Sequence, residues 1–370
     1  MQRPRHEFVK RYREWGTKEW HEVYAENLAE HVAMLYTNKP LVLFGDDDNK
    51  ILSTISQPSF VLHMLDLLQL RPGQRVFELG AGSGWNAALM GHLVGSKGHV
   101  YSLEIIPEMA TMAARTVETL GIKNVHIVAA DGGEGHAEGA PYDRAIFTAG
   151  TYDLPHHFYE QVKEGGLLLV VIKNEGGGAT LFLLCKKENH FESLESLPCG
   201  FVQLRGKYQI DSLEPITLET LPEWTKLQHQ ESARMRFWWG GKEVDELMWR
   251  TLGIRSFLSI TEPSFRVFKA KKADRRSQEE LYFGLWEREP SSLVVAKDDW
   301  LIAYGNASAK EHLLQRIHQW VELGMPSAAS FALQVYPRET SLMTRKNQWI
   351  VKRKESQFLW SLETRPQDVR

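Results

Sequence analysis

Glycine and acidic residues stand at the ends of three successive short apolar segments. Gly80, Gly82 and Gly84 follow the first segment, Glu104 ends the second, and Asp131 follows the third. Glycine allows a ligand to approach the backbone closely, and a carboxylate after the second segment can accept both hydroxyl hydrogens of a ribose. A further polar contact, to an adenine ring, is expected at Asp131. This order predicts a nucleoside site; the alternative is a tight turn with two exposed acids.

The same glycine turn discriminates between two kinds of nucleoside cofactor. Its spacing is G-x-G-x-G, whereas a pyrophosphate on a helix N-terminus is typical of G-x-G-x-x-G. The position after the turn is the bulky Trp85, and Glu78 ends the preceding apolar segment. Glu78 would repel a pyrophosphate but attract the cationic methionine part of S-adenosylmethionine. These features favour S-adenosylmethionine over a dinucleotide.

Strands and helices alternate around these residues, and the alternation predicts how they are positioned. The expected fold class is α/β, a Rossmann-like S-adenosylmethionine-dependent methyltransferase fold with a mostly parallel sheet and helices on both faces. Parallel strands are predicted at residues 75–79, 100–104, 125–129, 142–148 and 167–172, helices after Pro58, after Gly84 and at 107–120, and antiparallel strands at 180–186 and 200–205.

A change of pattern near residue 211 predicts a domain boundary. Residues 1–210 are expected to form the catalytic domain, which includes an N-terminal helical part over residues 1–50. Residues 211–370 are expected to form a smaller C-terminal accessory α+β domain of unassigned role. Its predicted elements are strands at 293–296 and 300–304, a helix at 309–323 and a hairpin at 348–362.

Composition excludes several classes of function. The 370 residues carry a formal net charge of -3, which does not favour general attraction to nucleic acid. The two cysteines indicate no disulfide framework, the histidines show no metal-ligand spacing, and the longest apolar run, residues 167–172, is too short for a bilayer. We therefore expect a cytoplasmic protein without a metal, membrane or nucleic-acid partner. The basic cluster Arg266–Arg276 is interpreted as a solvated face.

The stretch from about residue 53 to 173 resembles the protein-L-isoaspartate (D-aspartate) O-methyltransferase family. The glycine motif is shared by many methyltransferases, but a Thr-Ile-Ser-Gln-Pro motif at this distance upstream is more specific. The residues just before that motif, 48–53, depart from the glycine-containing segment of most members, and the region after 210 is similar to the longer, two-domain bacterial type. The segments that carry the resemblance are Ser53–Pro58, Val76–Ala88, Ala130–Gly135, Ala140–Asp143 and Gly165-Gly166.

The resemblance implies methyl transfer from S-adenosylmethionine to the free carboxylate of L-isoaspartyl or D-aspartyl residues in damaged proteins or peptides. The ester then initiates repair through a succinimide. It implies that Ser56 is the active-site hydroxyl and that Gly132 joins Asp131 in the cofactor site. The same motif implies substrate-binding roles for Thr54, Ile55, Gln57 and Pro58.

The chemistry of a carboxylate acceptor fits a hydroxyl such as Ser56. An aspartyl carboxyl, with an unperturbed pKa of about 4, is already ionised at neutral pH and needs no general base. A short hydroxyl can hold it in line with the methyl group without reducing its nucleophilicity as a cation would. The alternative for Ser56 is the N-cap of the helix that starts near Pro58.

Three other functions compete with repair. The first is an aspartyl O-methyltransferase that acts on a dedicated peptide during its maturation, with the same catalytic residues. The second is a tRNA methyltransferase, for which the net charge of -3 is unfavourable. The third is a binding protein that keeps the fold without catalysis, which the set of intact site residues disfavours. The sequence leaves the oligomeric state open.

Overall fold

The computed structural model describes residues 3–46, 50–175, 178–210, 215–237, 244–269, 281–289, 291–297 and 299–362, with the backbone alone for 244–250. Within this part of the chain, no helix combines the length and the apolar character needed to cross a membrane. Most residues of the basic cluster Arg266–Arg276 lie outside the described residues, but Arg266 forms an ion pair with Glu175 at 3.2 Å.

The N-terminal region is a small antiparallel sheet rather than the predicted helical segment. Its strand order is β2-β1-β3-β4, and only one helix longer than a single turn interrupts it. The helical prediction for residues 1–50 is wrong because β1 pairs with a strand about 28 residues later in the chain (Arg13 with Val42), a partner that no local periodicity reveals. The elements are β1 Arg11–Glu14, β2 His21–Glu22, α1 Leu28–Leu35, β3 Leu41–Gly45 and β4 Ile51–Ile55.

The main sheet has ten strands in the order β19-β20-β18-β11-β10-β9-β8-β5-β6-β7. The five strands β9-β8-β5-β6-β7 are parallel, and the other five extend the sheet antiparallel. The α/β prediction is confirmed, but the predicted strand at 200–205 is wrong because that segment is a loop. The elements are α2 Pro58–Leu68, β5 Arg75–Leu79, α3 Trp85–Val94, β6 His99–Glu104, α4 Pro107–Thr119, β7 Val125–Ala129, β8 Tyr142–Thr151, α5 Phe158–Gln161, β9 Val162–Lys173, β10 Ala179–Lys187 and β11 His190–Cys199.

The parallel strands are buried on both faces, as a sheet with helices on each side requires. Adjacent residues of β5 show this, because Val76 belongs to an apolar cluster with α2, α3 and α4, whereas Phe77 belongs to a second cluster on the opposite face. The second cluster includes Phe158 of α5 and extends to side chains near residues 254–258. The helices therefore fix the strand ends from both sides.

The region after residue 215 contains a second sheet, of six strands in the order β12-β14-β15-β16-β17-β13. Two helices accompany this sheet: α8 packs on it and on α7, and α7 also contacts β14 of this sheet and β19 of the main sheet. The elements of this region are β12 Ile216–Thr217, α6 Trp224–Leu227, β13 Glu231–Arg236, α7 Val244–Thr261, β14 Phe265–Lys269, β15 Leu281–Glu287, β16 Ser292–Lys297, β17 Trp300–Gly305, α8 Ser308–Glu322, β18 Phe331–Pro337, β19 Gln348–Lys352 and β20 Ser356–Leu362.

One apolar core runs across the predicted boundary at residue 210. The cluster that contains Phe77 also contains Phe257, Leu313 and Phe358, and β18 pairs with β11 through Phe191 and Val335. The division into 1–210 and 211–370 stays a prediction about independent folding. The shared core gives the opposite expectation for a truncated chain, because a cut at 210 would expose apolar side chains.

The turn between β19 and β20 holds the segment that follows β8. Asp153, 3% exposed, accepts a hydrogen bond from the backbone N–H of Glu355 at 2.7 Å and another from the Ser356 hydroxyl. The buried Arg353 guanidinium donates to the carbonyl of Tyr152 and lies 4.1 Å from the centroid of its ring. The C-terminal hairpin therefore fixes the carboxyl end of β8.

Candidate active site

A cleft lies at the carboxyl ends of β5, β6 and β8, where side chains from successive strands of a parallel sheet converge. The glycine turn forms one wall, and the loop after β11 forms another. We call it the cofactor cleft. Its lining includes Thr54, Ile55, Ser56, Glu78, Gly80, Gly82, Asn86, Glu104, Asp131, Gly132, Thr148, Val202, Gln203, Leu204 and Arg205.

Glu78 lies at the floor of the cofactor cleft and is fully buried. One carboxyl oxygen accepts a hydrogen bond from the Asn86 amide at 2.6 Å, and the other accepts one from the Ser102 hydroxyl at 2.5 Å. Burial raises the pKa of Glu78 to about 7, against the lowering effect of both hydrogen bonds. The group is therefore poised to ionise when a cation enters.

The side chain next to Glu78 shows whether a cationic amine would fit at the floor of the cofactor cleft. The Oδ1 atom of Asn86 is buried and has no hydrogen-bond partner among the described residues, and Asn86 itself lines the cleft. An ammonium group beside Glu78 would donate to this oxygen and remove the cost of an unsatisfied polar atom. The floor of the cleft therefore fits the methionine end of S-adenosylmethionine.

Glu104 is held at the end of β6 by the backbone of two neighbouring loops. Its oxygens accept from the N–H of Gly82 at 2.8 Å and from the N–H of Ile106 at 3.0 Å. The side chain is 5% exposed, and burial raises the pKa of its carboxyl. Each oxygen keeps a second lone pair, so the carboxylate can still accept two hydroxyl hydrogens.

The three glycines of the turn lie in different surroundings, so a side chain would be excluded or tolerated at each for a different reason. Gly80 has φ +91, and a Cβ there would come within 2.5 Å of the Thr148 hydroxyl oxygen. Gly82 has φ +54, and a Cβ there would lie 3.6 Å from the Ser53 hydroxyl oxygen and 3.8 Å from the Thr54 carbonyl oxygen. Gly84 also has positive φ, but it faces Ala113 of α4, where a Cβ would lie at 3.3 Å. Gly84 is not among the residues that line the cleft, so the structure gives it a helix-packing position.

Asp131 lines the cofactor cleft and also hydrogen-bonds to the loop after β11 that covers it. Its oxygens accept from the N–H of Gly133 and the N–H of Lys207, both at 2.8 Å. Gly132 packs so closely on Leu79 that an added Cβ would lie 2.8 Å from its side chain. Asp131 therefore sits at the cleft edge, and Gly132 lets this edge approach β5.

The loop after β11, residues 200–210, covers the cofactor cleft. The backbone of Gly150 donates to the Val202 carbonyl and accepts from the Leu204 N–H, both at 2.8 Å. Lys207 pairs with Glu134 at 2.8 Å on the exposed side. This loop replaces the strand predicted at 200–205, because its regular pairing is limited to the contact with Gly150.

A second, wider cleft meets the cofactor cleft at Ser56. Both clefts are lined by Thr54, Ser56, Val202 and Gln203. The wider one has a volume of about 1070 Å³, at the upper limit of the roughly 300–1,000 Å³ of small-molecule pockets. It therefore has room for a short polypeptide segment, and we call it the peptide cleft.

The structure bears on the two interpretations of Ser56, as an active-site hydroxyl or as the N-cap of α2. The residue before α2 is Gln57, and no side chain caps the helix from that position. Asn38 accepts from the N–H of Ser59 at 3.1 Å from outside the helix. Ser56 thus stands at the junction of the two clefts without serving as the helix cap.

The other predicted substrate residues do not all reach the same place. Thr54 lines both clefts, Ile55 lines the cofactor cleft, and Gln57 lines the peptide cleft. Pro58 begins α2 and is not among the residues that line either cleft. The Thr-Ile-Ser-Gln segment is therefore a partition between the two clefts.

Arg5 fixes this partition from the N-terminal region, and sequence reasoning missed it. Its guanidinium is 0% exposed and donates to the carbonyls of Ser56 at 3.0 Å, Ile55 at 3.3 Å and Lys39 at 3.3 Å, and to that of Leu35. Burial lowers the pKa of Arg5 to about 10. No local pattern marks this arginine, because its partners lie 30–51 residues away.

Asn86 and Ser102 were also missed as partners of Glu78. Asn86 follows the glycine turn in the sequence, and Ser102 stands inside an apolar strand. A polar residue in an otherwise apolar strand needs a hydrogen-bond partner, so Ser102 offered a signal. Within the described residues, no group of three or more His, Cys, Asp or Glu side chains is arranged to hold a metal, and Cys185 and Cys199 are free.

One part of the chain matches a methyltransferase family profile and the sequences of known methyltransferases. The profile described as protein-L-isoaspartate(D-aspartate) O-methyltransferase matches residues 20–209. A protein-L-isoaspartate O-methyltransferase of Pyrococcus horikoshii is 43% identical over 136 residues, which are 37% of this chain and 61% of that protein. One of Ignicoccus hospitalis is 39% identical over 171 residues, 46% of this chain and 78% of that protein.

A solved structure described as a protein-L-isoaspartate O-methyltransferase shares the fold over almost the full length. It is 24% identical in sequence, with a TM-score of 0.54 over 93% of this chain and 92% of that one. The profile covers more than half of the chain, and the matched stretch contains every predicted site residue. The chain belongs to the protein-L-isoaspartate (D-aspartate) O-methyltransferase family.

Proposed function

We propose that this protein transfers a methyl group from S-adenosylmethionine to the free carboxylate of L-isoaspartyl or D-aspartyl residues in proteins or peptides, and so initiates their repair through a succinimide. The observation that carries the proposal is the junction at Ser56, where a cleft of fixed acceptors opens into a cleft wide enough for a polypeptide. Membership of the family supports the same reaction.

The cofactor supplies an electrophilic methyl group on a sulfonium. Glu78, together with the Oδ1 atom of Asn86, would hold its amine, and Glu104 would accept from its ribose hydroxyls. Asp131 stands where a contact to the adenine is expected. Because these acceptors are already fixed by hydrogen bonds, little conformational entropy is lost when the ligand binds.

The residues at the junction have only to position the acceptor. An aspartyl carboxylate is ionised at neutral pH, with an unperturbed pKa of about 4, so no base is required. The Ser56 hydroxyl would donate a hydrogen bond to one of its oxygens, and the contact of Arg5 with the Ser56 carbonyl would fix the backbone that carries this hydroxyl. Alignment of the acceptor with the methyl group then sets the rate.

Peptide geometry supplies the selectivity. An isoaspartyl linkage adds one methylene to the main chain and moves the free carboxylate to the α-carbon. A cleft that fixes the flanking backbone presents this carboxylate to the junction, whereas a normal aspartyl carboxylate is displaced by about an ångström. A displacement of that size costs roughly a hundredfold in rate.

The test is methyl transfer to an isoaspartyl peptide and to its normal aspartyl twin. We expect strong preference for the isoaspartyl peptide, a base-labile methyl ester as product, and gradual conversion to aspartyl peptide through the succinimide. Equal rates on both peptides would contradict the repair function. Transfer to neither, together with transfer to one dedicated peptide, would favour the maturation enzyme, and transfer to tRNA would favour the nucleic-acid alternative.

A further inference from the structure

The charge of the peptide cleft is opposite to that of the whole chain. Lys39, Lys50 and Lys173 line it, with Glu14 as the only acidic residue among its lining residues in the described part of the chain. The chain as a whole has a formal net charge of -3. A cleft lined by charge of one sign focuses the potential and raises the local concentration of ligands of the opposite sign.

A further cavity, which we call the seam cavity, lies next to the peptide cleft at the seam with α7. Pro198 and Cys199, at the end of β11, line both spaces. The seam cavity encloses about 1170 Å³ of empty space, open solvent included. Its polar lining residues are Asn174, Thr180, Arg255, Ser256, Ser259 and Ser327.

The lining of the seam cavity is suited to an anionic side chain. Arg255 is the only charged residue among its lining residues in the described part of the chain, and the other polar groups are hydroxyls and one amide. A guanidinium surrounded by hydroxyl donors is a typical partner for a carboxylate. An acidic substrate side chain would therefore meet hydrogen-bond donors there.

We propose that the peptide cleft and the seam cavity select isoaspartyl substrates whose neighbouring residues are acidic, with Lys39 and Lys50 contacting acids near the modified residue and Arg255 contacting an acid farther along the peptide. This inference rests on the proposed methylation of isoaspartyl peptides. An extended peptide advances about 3.3 Å per residue, so we expect cationic groups in different clefts to contact different positions along the substrate.

The experiment uses the full chain and a set of peptides with one central isoaspartyl residue. A single Glu, Gln or Lys is moved through each flanking position of a peptide about eleven residues long, which spans roughly 36 Å when extended. We expect a Glu at the best positions to lower KM about tenfold relative to Gln, with kcat unchanged, because charge complementarity acts on encounter and binding. At about 1 M ionic strength, where the Debye length is about 3 Å, the preference should disappear.

Charge-removing variants assign the positions. The double variant Lys39→Gln and Lys50→Gln should lose the preference at the near positions, and Arg255→Gln should lose it at the far position while Arg255→Lys keeps it. Lys97→Gln is the matched control, because Lys97 is exposed in the loop before β6, at the opposite end of the sheet. If Arg255→Gln does not fold, Ser256→Asp introduces a carboxylate in the seam cavity that offsets the charge of Arg255 and should abolish the preference at the far position.

The outcomes separate this inference from the function on which it rests. Methylation of all isoaspartyl peptides with equal KM for Glu, Gln and Lys would overturn the inference and leave the proposed function standing. A preference for Glu that survives in every cleft variant would also overturn it. Absence of transfer to any isoaspartyl peptide would overturn the proposed function and the inference with it.

Discussion

The two clefts that meet at Ser56 are built in opposite ways. In the cofactor cleft, Glu78 and Glu104 are at most 5% exposed, and their oxygens accept hydrogen bonds from neighbouring protein groups at 2.5–3.0 Å. In the peptide cleft, Lys39 and Lys50 are exposed on flexible side chains. One cleft holds a few fixed acids, and the other presents mobile cations.

The difference follows from what each cleft has to bind. One small ligand with fixed charges is best met by acceptors that are already in place, because preorganisation reduces the entropy lost on binding. Damaged residues occur in many sequences, so the substrate side gains from side chains that can adapt. Mutations in the cofactor cleft should therefore act on affinity for one ligand, and mutations in the peptide cleft should act on the choice among many.

The largest effect is expected for Arg5→Ala, which breaks the partition between the clefts. It leaves the buried carbonyls of Leu35, Ile55 and Ser56 without their donor, so the free energy of unfolding should fall by about 3 kcal/mol. Turnover should fall because Ser56 loses its position, while the folded variant still binds cofactor. Denaturant unfolding measures the stability, calorimetric titration the cofactor affinity, and steady-state kinetics the turnover, with the exposed Arg71→Ala as control. Unchanged turnover would show that Arg5 does not position Ser56.

A smaller effect is expected for Glu104→Ala in the cofactor cleft. Loss of a charge-assisted pair of hydrogen bonds should weaken S-adenosylmethionine binding by about 1.5–3 kcal/mol, whereas KM for peptide should hardly change. Calorimetric titration of the variant and of the exposed Glu108→Ala control measures this. Equal affinities in the two variants would remove Glu104 from the cofactor site.

At the junction, Ser56→Ala should lower kcat about tenfold, or about 1.4 kcal/mol, with cofactor affinity nearly intact. In the proposed function this hydroxyl donates to the acceptor, and it does not cap α2, so the melting temperature should stay unchanged. Steady-state kinetics of this variant beside Ser59→Ala, at the exposed start of α2, provides the test. A lower melting temperature with normal turnover would support a purely structural role.

The smallest effect concerns pH, through Glu78. In the cofactor-free protein its pKa is raised from 4.5 to about 7, so its contribution to stability is fully present below about pH 4.5 and is lost as pH rises through 7. Binding of a cationic amine has the opposite pH dependence, since it requires the ionised carboxylate of Glu78. We expect affinity for S-adenosylmethionine to fall about threefold from pH 7.5 to 6.5, with proton release measurable in buffers of different ionisation enthalpy. The pH profile of Glu78→Gln should be flat across this range; a profile like that of the unchanged protein would exclude Glu78.

The parts of the molecule that sequence predicted are those whose signal is local. The strands that end at Leu79 and Glu104 have short apolar patterns with an acid at or next to their last residue, so Glu78 and Glu104 could be predicted, whereas the partners of Glu78, Asn86 and Ser102, were missed. By contrast, β1 forms by pairing with β3, and Arg5 donates to the carbonyl of Ser56; both partners lie tens of residues away in the chain. Gly84 fits the glycine pattern but faces a neighbouring helix, a distinction that only packing reveals.

The contact of Asp153 with Ser356 has a consequence for the order in which the molecule folds. Its two partners are separated by 203 residues, and contacts of such separation form late because loop closure must come first. The parallel strands can pair before the C-terminal hairpin arrives, but the carboxyl end of β8, and with it the covering loop anchored at Gly150, is fixed only when the hairpin docks. The capacity to bind cofactor should therefore appear after the bulk of the secondary structure during refolding, as the last step of a sequential assembly.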